Sequence, residues 1–322
     1  MTDSTSWRVL VGSFHNTRSQ SLAYYASFPQ ANVPLRGVVF FLHGIGEYAR
    51  RFTHLFDVLG ADGFGVIAYD MIGHGRSDDD YPGQRAHAER FQHMVDDTNA
   101  FLTFAKETIY PKMLGNAPHP PLIFMAISYG TLVGLHTVLS ERHHFAGIML
   151  AAPAVSVEWT CFLKFQYHTM RPLGELAPHS RITPGVNYKC LSRNPEFVAD
   201  FLADPLVIKL RVTSQMAVET PKAMNRLRAD TRPITATSSF CQIPIIFLHG
   251  SEDKVTSVPL SEEFFHSIAS RDKTYEKLQG LYHCIFNEPE KEQVMNKVVS
   301  WLNARFPLTE DKFLTLEDLR TE

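Results

Sequence analysis

The sequence predicts an α/β fold: a mostly parallel central sheet with helices on both faces and an inserted helical cap. Three observations carry this. Apolar runs such as "RGVVFFLHG", "FGVIAYD", "PLIFMAIS" and "FAGIMLAAP" read as strands buried on both faces. Stretches with apolar residues at helical spacing lie between them. After Pro153 the alternation stops, and prolines at 172, 178, 184, 195, 205, 221 and 233 interrupt helical patterns until the strands resume. The expected core is therefore 1–153 with 241–322, and the expected cap is 154–240.

The elements follow in order. "WRVLVGSF" and "SLAYYASF" flank the polar turn "HNTRSQ", a hairpin pattern. "RGVVFFLHG" is the first doubly buried strand. Phe52, Leu55, Phe56 and Leu59 then recur at helical spacing. "FGVIAYD" leads into a loop rich in glycine and aspartate, "MIGHGRSDDDYPG". A helical period runs from about Ala88 to Ile109. "PLIFMAIS" and "FAGIMLAAP" bracket a helix from about Tyr129 to Ser140. Beyond the cap come "IPIIFLHG", a helix near 259–270, the strand "TYEKLQG" and a helix from about Pro289 to Phe306. The polar tail after Phe306 is expected to be loosely held.

Composition narrows the function classes. A net charge of −3 without a long basic run gives no footprint for nucleic acid or an anionic membrane. Cys161, Cys190, Cys241 and Cys284 lack C-x-x-C spacing and read as free thiols of a reducing compartment. No signal-peptide core or membrane-length apolar run is seen, so a cytoplasmic location is expected. The 15 histidines are scattered without ligand spacing, so no metal is expected.

The chemistry concentrates at strand ends, where open parallel sheets gather their sites. Ser128 ends "PLIFMAI", Asp253 follows "IPIIFLHG", and His283 follows "TYEKLQG". A serine hydroxyl needs a base, and the base needs an orienting acid. The chain order Ser, Asp, His is that of the α/β-hydrolase fold. The elbow Ala126-Ile127-Ser128-Tyr129-Gly130 departs from G-x-S-x-G only in its first residue. What that position demands is a small side chain, and alanine adds one methyl. Asp253 is preferred to Glu252 by its fixed turn beyond the strand. His283 is preferred to His266, which lies mid-helix, and to His43, which lies in the oxyanion segment. The oxyanion donors are expected to be the backbone N–H groups of Ile45 and Tyr129.

The segments "FLHGIGEYARRF", "AYDMIGHGRSD", "AISYG", "FAGIMLAAP", "LHGSEDKV" and "QGLYH" closely resemble monoglyceride lipases, within a serine-hydrolase group that includes lysophospholipase-like proteins. The resemblance spans about residues 37 to 305 and includes "LSRNPEFVADFLADPLV" in the cap. It implies hydrolysis of monoacylglycerol, with the acyl chain in an apolar tunnel under the cap and no cofactor. It also implies that Glu47 and Arg51 help form the polar end that receives glycerol; a surface ion pair one turn apart is the plainer reading. Two positions depart from the pattern. Phe286 stands where those lipases carry a histidine, and Phe201 where they carry a tyrosine. Losing two hydrogen-bonding groups is expected to loosen head-group specificity.

A lysophospholipase or broad carboxylesterase is the nearest alternative, with Arg50, Arg51 and the cap arginines available to a phosphate. An aminopeptidase lacks a defined acidic cluster for an amino terminus. A catalytically silent lipid-binding protein need not keep all of Ser128, Asp253 and His283. In the cap, Trp159, Phe162, Leu163, Tyr167 and Met170 fall on one helical face. That stripe is read as core facing the tunnel, with transient membrane-surface contact through the rim. The expected partner is a lipid ester substrate; the oligomeric state is left open.

Overall fold

The computed structural model describes residues 7–156, 172, 175–181 and 187–308. The apolar stripe of the expected cap, from Trp159 to Met170, and the polar tail from residue 309 lie outside them. Eight strands form one sheet: β1 (Trp7–His15), β2 (Ser21–Pro29), β3 (Gly37–Leu42), β4 (Phe64–Tyr69), β5 (Leu122–Ile127), β6 (Gly147–Ala151), β7 (Ile245–Gly250) and β8 (Lys273–Leu278). Their spatial order is β1-β2-β4-β3-β5-β6-β7-β8. The first two pairings, β1 with β2 and β2 with β4, are antiparallel; the rest are parallel.

Doubly covered strands need apolar residues at every position, and β3, β4, β5 and β7 are buried throughout. Alternate residues enter opposite layers. Phe40 and Leu42 join a core with Tyr69, Phe124 and Leu132; Val39 and Phe41 join one with Phe56, Met149 and Trp301. The first layer packs α2 (Phe91–Phe104), α3 (Tyr110–Leu114) and α4 (Tyr129–Leu139) on one face. The second packs α1 (Thr53–Ala61) on the other.

The helical run expected from Ala88 to Ile109 starts at Phe91 and continues to Leu114 through a wide turn at Ala105–Ile109. Arg90 is extended, with φ −141°, so the helix starts after it. Pro111 has no N–H to give residue 107, and the wide turn comes immediately before it.

Between β6 and β7 the described residues add α5 (Pro195–Ala203) and α6 (Ser214–Ala229) and no strand of the sheet. The chain then completes α7 (Val258–Ser267) and α8 (Lys291–Arg305). Among the described residues, Cys190, Cys241 and Cys284 are free thiols, and no helix is long and apolar enough to cross a membrane.

From β3 the chain moves to β4 on one side, and then to β5 on the other. That reversal is the point where parallel sheets open a crevice at their carboxyl ends. The residues just beyond β3 and β5 therefore face each other across it.

Candidate active site

Ser128 sits at the corner between β5 and α4 with φ 54° and ψ −127°, a left-handed backbone that side chains rarely adopt. The corner is held from several sides. Ser128 N–H donates to the Ala151 carbonyl at 2.9 Å. The Thr131 hydroxyl donates to the Ser128 carbonyl at 2.6 Å and accepts from Ala154 N–H at 2.9 Å. Gly130 is obligatory by contact: a Cβ there would lie 2.4 Å from the His43 carbonyl oxygen and 2.6 Å from that of Leu42. Ala126 is different. It lies inside β5, fully buried and paired with Leu42 and Leu150, and its methyl is part of the core.

The loops after β7 and β8 meet backbone to backbone. A Cβ on Gly250 would lie 2.3 Å from the Tyr282 carbonyl oxygen. This approach brings Asp253 and His283 together. His283 Nδ1 lies 2.8 Å from Asp253 Oδ2, and His283 Nε2 lies 2.8 Å from Ser128 Oγ. A carboxylate only accepts, so Nδ1 carries the proton and Nε2 is free to accept one from the serine. Asp253 also accepts from the N–H groups of Val255 and Thr256 at 2.7 and 3.1 Å, and from the Thr256 hydroxyl at 2.7 Å. Burial pushes the Asp253 carboxyl up, but the charge of His283 and hydrogen bonds from His249, His283 and Val255 outweigh it. The group is held well below the usual carboxylate range. Glu252 and His266 are exposed. His43 is fully buried: its Nδ1 donates to the Gly44 carbonyl at 2.7 Å and its Nε2 accepts from Met71 N–H at 2.9 Å.

Ser128 and His283 both line one cleft. Ile45, Gly46 and Glu47 line it together with Leu191, Phe201, Ile208 and Val212. Gly44 brings the β3 loop against the serine: an added Cβ would sit 3.1 Å from Ser128 Cβ. The N–H of Tyr129 opens α4, where a helix supplies no carbonyl partner of its own.

A sequence profile of the Hydrolase_4 family, described as serine aminopeptidase, S33, matches residues 33–290. The chain belongs to this family. It is 28% identical over 269 residues to a monoacylglycerol lipase of Mycolicibacterium smegmatis, covering 83% of this chain and 88% of the relative. It is 25% identical over 258 residues to phospholipase YtpA of Bacillus subtilis, covering 80% and 91%. Its fold matches the crystal structure of Paleococcus ferrophilus monoacylglycerol lipase with a TM-score of 0.71 at 25% identity, covering 88% of this chain and 99% of that one. The architecture is the α/β-hydrolase fold.

The remaining site residues of this Hydrolase_4 member separate into different environments. Glu47 lines the cleft and is 6% exposed, and its Oε2 has no hydrogen-bond partner among the described residues. Burial raises its carboxyl to about 7 against the opposing charges of Arg51 and His283. Arg51 is not in the cleft lining. Its guanidinium meets Asp204 at 2.7 Å and Asp200 at 2.9 Å, both on the β6–β7 segment. Phe201 is on the cleft wall. Phe286 is fully buried in the core layer that holds Ile285 and Met295, away from the lining.

Sequence reasoning missed His249. It is fully buried within β7, and its Nε2 donates to Asp253 Oδ2 at 3.0 Å. The available signal was its spacing, four residues before Asp253, hidden in the run "IIFLHG". For metals, the side-chain ligand atoms of Asp80, Glu89 and His93 converge among the described residues. Asp80 is already taken by His93 at 2.7 Å, Glu89 N–H at 2.8 Å and Arg18 at 3.3 Å.

Proposed function

We propose that this protein is a serine ester hydrolase that cleaves monoacylglycerol to glycerol and a fatty acid through an acyl-enzyme. The observation that carries it is the hydrogen-bonded run from Ser128 through His283 to Asp253, with Ser128 and His283 in the lining of a mostly apolar cleft. The named activity of the mycobacterial relative supports the substrate class.

In the proposed cycle, His283 Nε2 takes the Ser128 proton as Oγ bonds to the ester carbonyl carbon. The oxyanion accepts from the N–H groups of Ile45 and Tyr129. His283 returns the proton to the departing glycerol oxygen as the C–O bond breaks. Water then gives a proton to His283, attacks the acyl carbon and releases the fatty acid, and the serine is reprotonated. Asp253 keeps the imidazole oriented and stabilises its charged form. No cofactor takes part in this cycle.

Residues 154–240 are proposed to act as the cap, with Phe201, Ile208 and Val212 against the acyl chain. Glu47 is proposed to meet the glycerol hydroxyls, and Arg51 to tune its charge from behind the cap residues it binds. Leu210, in the cleft lining, is exposed, and this rim is proposed to touch membrane surfaces transiently.

A lysophospholipase is the second reading, favoured by the named phospholipase relative and by Arg211 in the cleft lining. The test is hydrolysis of 2-monoacylglycerol and lysophosphatidylcholine with the same acyl chain, using Ser128→Ala as blank. Monoacylglycerol is expected to have the higher kcat/KM. The opposite ratio selects the phospholipid reading. A folded protein that cuts neither and takes up no fluorophosphonate is a silent binding protein instead.

A further inference from the structure

The β3 loop that carries Ile45 is held by two clamps of different origin. On the core side, His43 grips the Gly44 carbonyl and Met71 N–H with a single fixed tautomer. On the other side the partners come from the β6–β7 segment. The Gly46 carbonyl, one residue after Ile45, accepts from Ile208 N–H at 2.9 Å. Gly46 has φ +81°, and a Cβ there would sit 3.1 Å from the Ile208 carbonyl oxygen. Further along, Asp204 Oδ2 accepts from the Tyr48 hydroxyl at 2.8 Å and from Arg51 Nη1 at 2.7 Å. Asp204 Oδ1 is fixed by Leu206 N–H at 2.8 Å.

We propose that Asp204 is a positioning residue for the oxyanion donor at Ile45, tying the seating of the cap to the geometry of that donor. The inference rests on the ester-hydrolase reading above. Asp204 does not line the cleft; it acts through Tyr48 and Arg51. An exposed ion pair contributes little. This one is enclosed, with side chains of Arg51 and Asp204 only 7% and 12% exposed. The Arg51 guanidinium also lies 5.1 Å from the Phe201 ring centre and 5.6 Å from that of Phe197. A cap that lifts must break these contacts together and release the loop on that side, leaving the core-side contacts of His43 and of Asp70, whose Oδ1 accepts from Ala49 N–H at 2.9 Å. Oxyanion stabilisation is then strongest with the cap seated over bound substrate.

The test compares the full chain with Asp204→Ala and Tyr48→Phe on soluble p-nitrophenyl butyrate. Removing an oxyanion donor outright costs about 10²- to 10³-fold in kcat. A loosened donor is therefore expected to cost Asp204→Ala about tenfold in kcat, with KM held within about twofold. A trifluoromethyl ketone reports the same geometry. Ser128 adds to its carbonyl, the proton passes to His283, and the oxygen becomes an oxyanion in the donor site. Its affinity for Asp204→Ala is expected to fall by the same factor as kcat. Tyr48→Phe keeps the ring and removes one hydrogen bond, so a smaller loss in the same two readouts is expected; it decides the question if Asp204→Ala does not fold. A rise in KM with unchanged kcat and analogue affinity would overturn the proposal and leave Asp204 as a packing contact of the cap. Folded wild-type protein with no ester turnover would overturn the hydrolase reading, and this inference with it.

Discussion

His249 and His283 donate to the same oxygen of Asp253, from 3.0 and 2.8 Å. The first imidazole is rooted in β7, the second rides on the loop after β8, and the carboxylate between them is closed off from solvent. A carboxylate anchored from β7 keeps one direction for the loop-borne histidine. His249→Ala is expected to lower kcat by about tenfold through misorientation, with little change in KM. Loss of a hydrogen bond to a charged group also lowers stability by about 1.5–3 kcal/mol. Steady-state kinetics beside thermal melting separates the two effects.

Glu47 sets a pH dependence of stability. Its folded carboxyl lies at about 7 against an ordinary 4.5, so the folded state prefers the protonated form. The sign is the reverse of a salt-bridged acid. Stability is fully present below the unfolded value, falls as pH rises through the window from 4.5 to about 7, and is flat above it. Glu47→Gln removes that ionisation. It is expected to flatten the fall in melting temperature between pH 5 and 7 and to be the more stable form at pH 8 by about 3 kcal/mol at most. Equal slopes for the two proteins would show that Glu47 is not the group responsible.

Phe201 and Phe286 are expected to respond differently to polar substitution. Phe201→Tyr places a hydroxyl on the cleft wall, where it can meet a head group. The kcat/KM ratio of monoacylglycerol over the methyl ester of the same acid is expected to rise by about threefold to tenfold, the worth of one hydrogen bond. Phe286→His places an imidazole in a dry core layer. Its expected effect is a loss of about 1–3 kcal/mol in denaturant unfolding with that ratio unchanged.

The two small residues of the elbow are not equivalent. Ala126→Gly is expected to leave kcat within about twofold and to cost about 0.5–1 kcal/mol, because it adds strand entropy and removes a packed methyl. Gly130→Ala drives a Cβ into two carbonyl oxygens. It is expected to cost about 3 kcal/mol or more and to abolish turnover, since the backbone that must move carries the serine. Matched unfolding curves and initial rates check both.

The frame of the fold was legible because strands buried on both faces must be apolar throughout, as in "GVVFFL" and "LIFMAI". Ser128, Asp253 and His283 were legible because each stands at a strand end, where the topology forces convergence. Contacts made between distant parts of the chain were not. Arg51 reads as a partner for Glu47 one turn away, whereas its guanidinium meets acids 149 and 153 residues further on. His249 looks like one more buried position because nothing in β7 alone announces a carboxylate in the following loop. Its spacing of three from His283 points Phe286 at the cleft, but the short turn at Ile285–Asn287 carries it into the core.

The β6–β7 connection has an evolutionary consequence. Parallel neighbours cannot be joined by a tight turn, so some crossover of a dozen or more residues is compulsory there. Lengthening an existing connection is cheap in chain entropy, about 0.6 kcal/mol for each doubling. The excursion from residue 152 to 244 is therefore a place where ancestral chains could gain, lose or rewrite tens of residues while every sheet hydrogen bond from β3 to β8 stayed in register. Part of the cleft wall, Leu191, Phe201, Ile208 and Val212, lies on this excursion, while Ser128, Asp253 and His283 lie outside it, so a graft at these two joints would reshape that wall and leave the three residues in place.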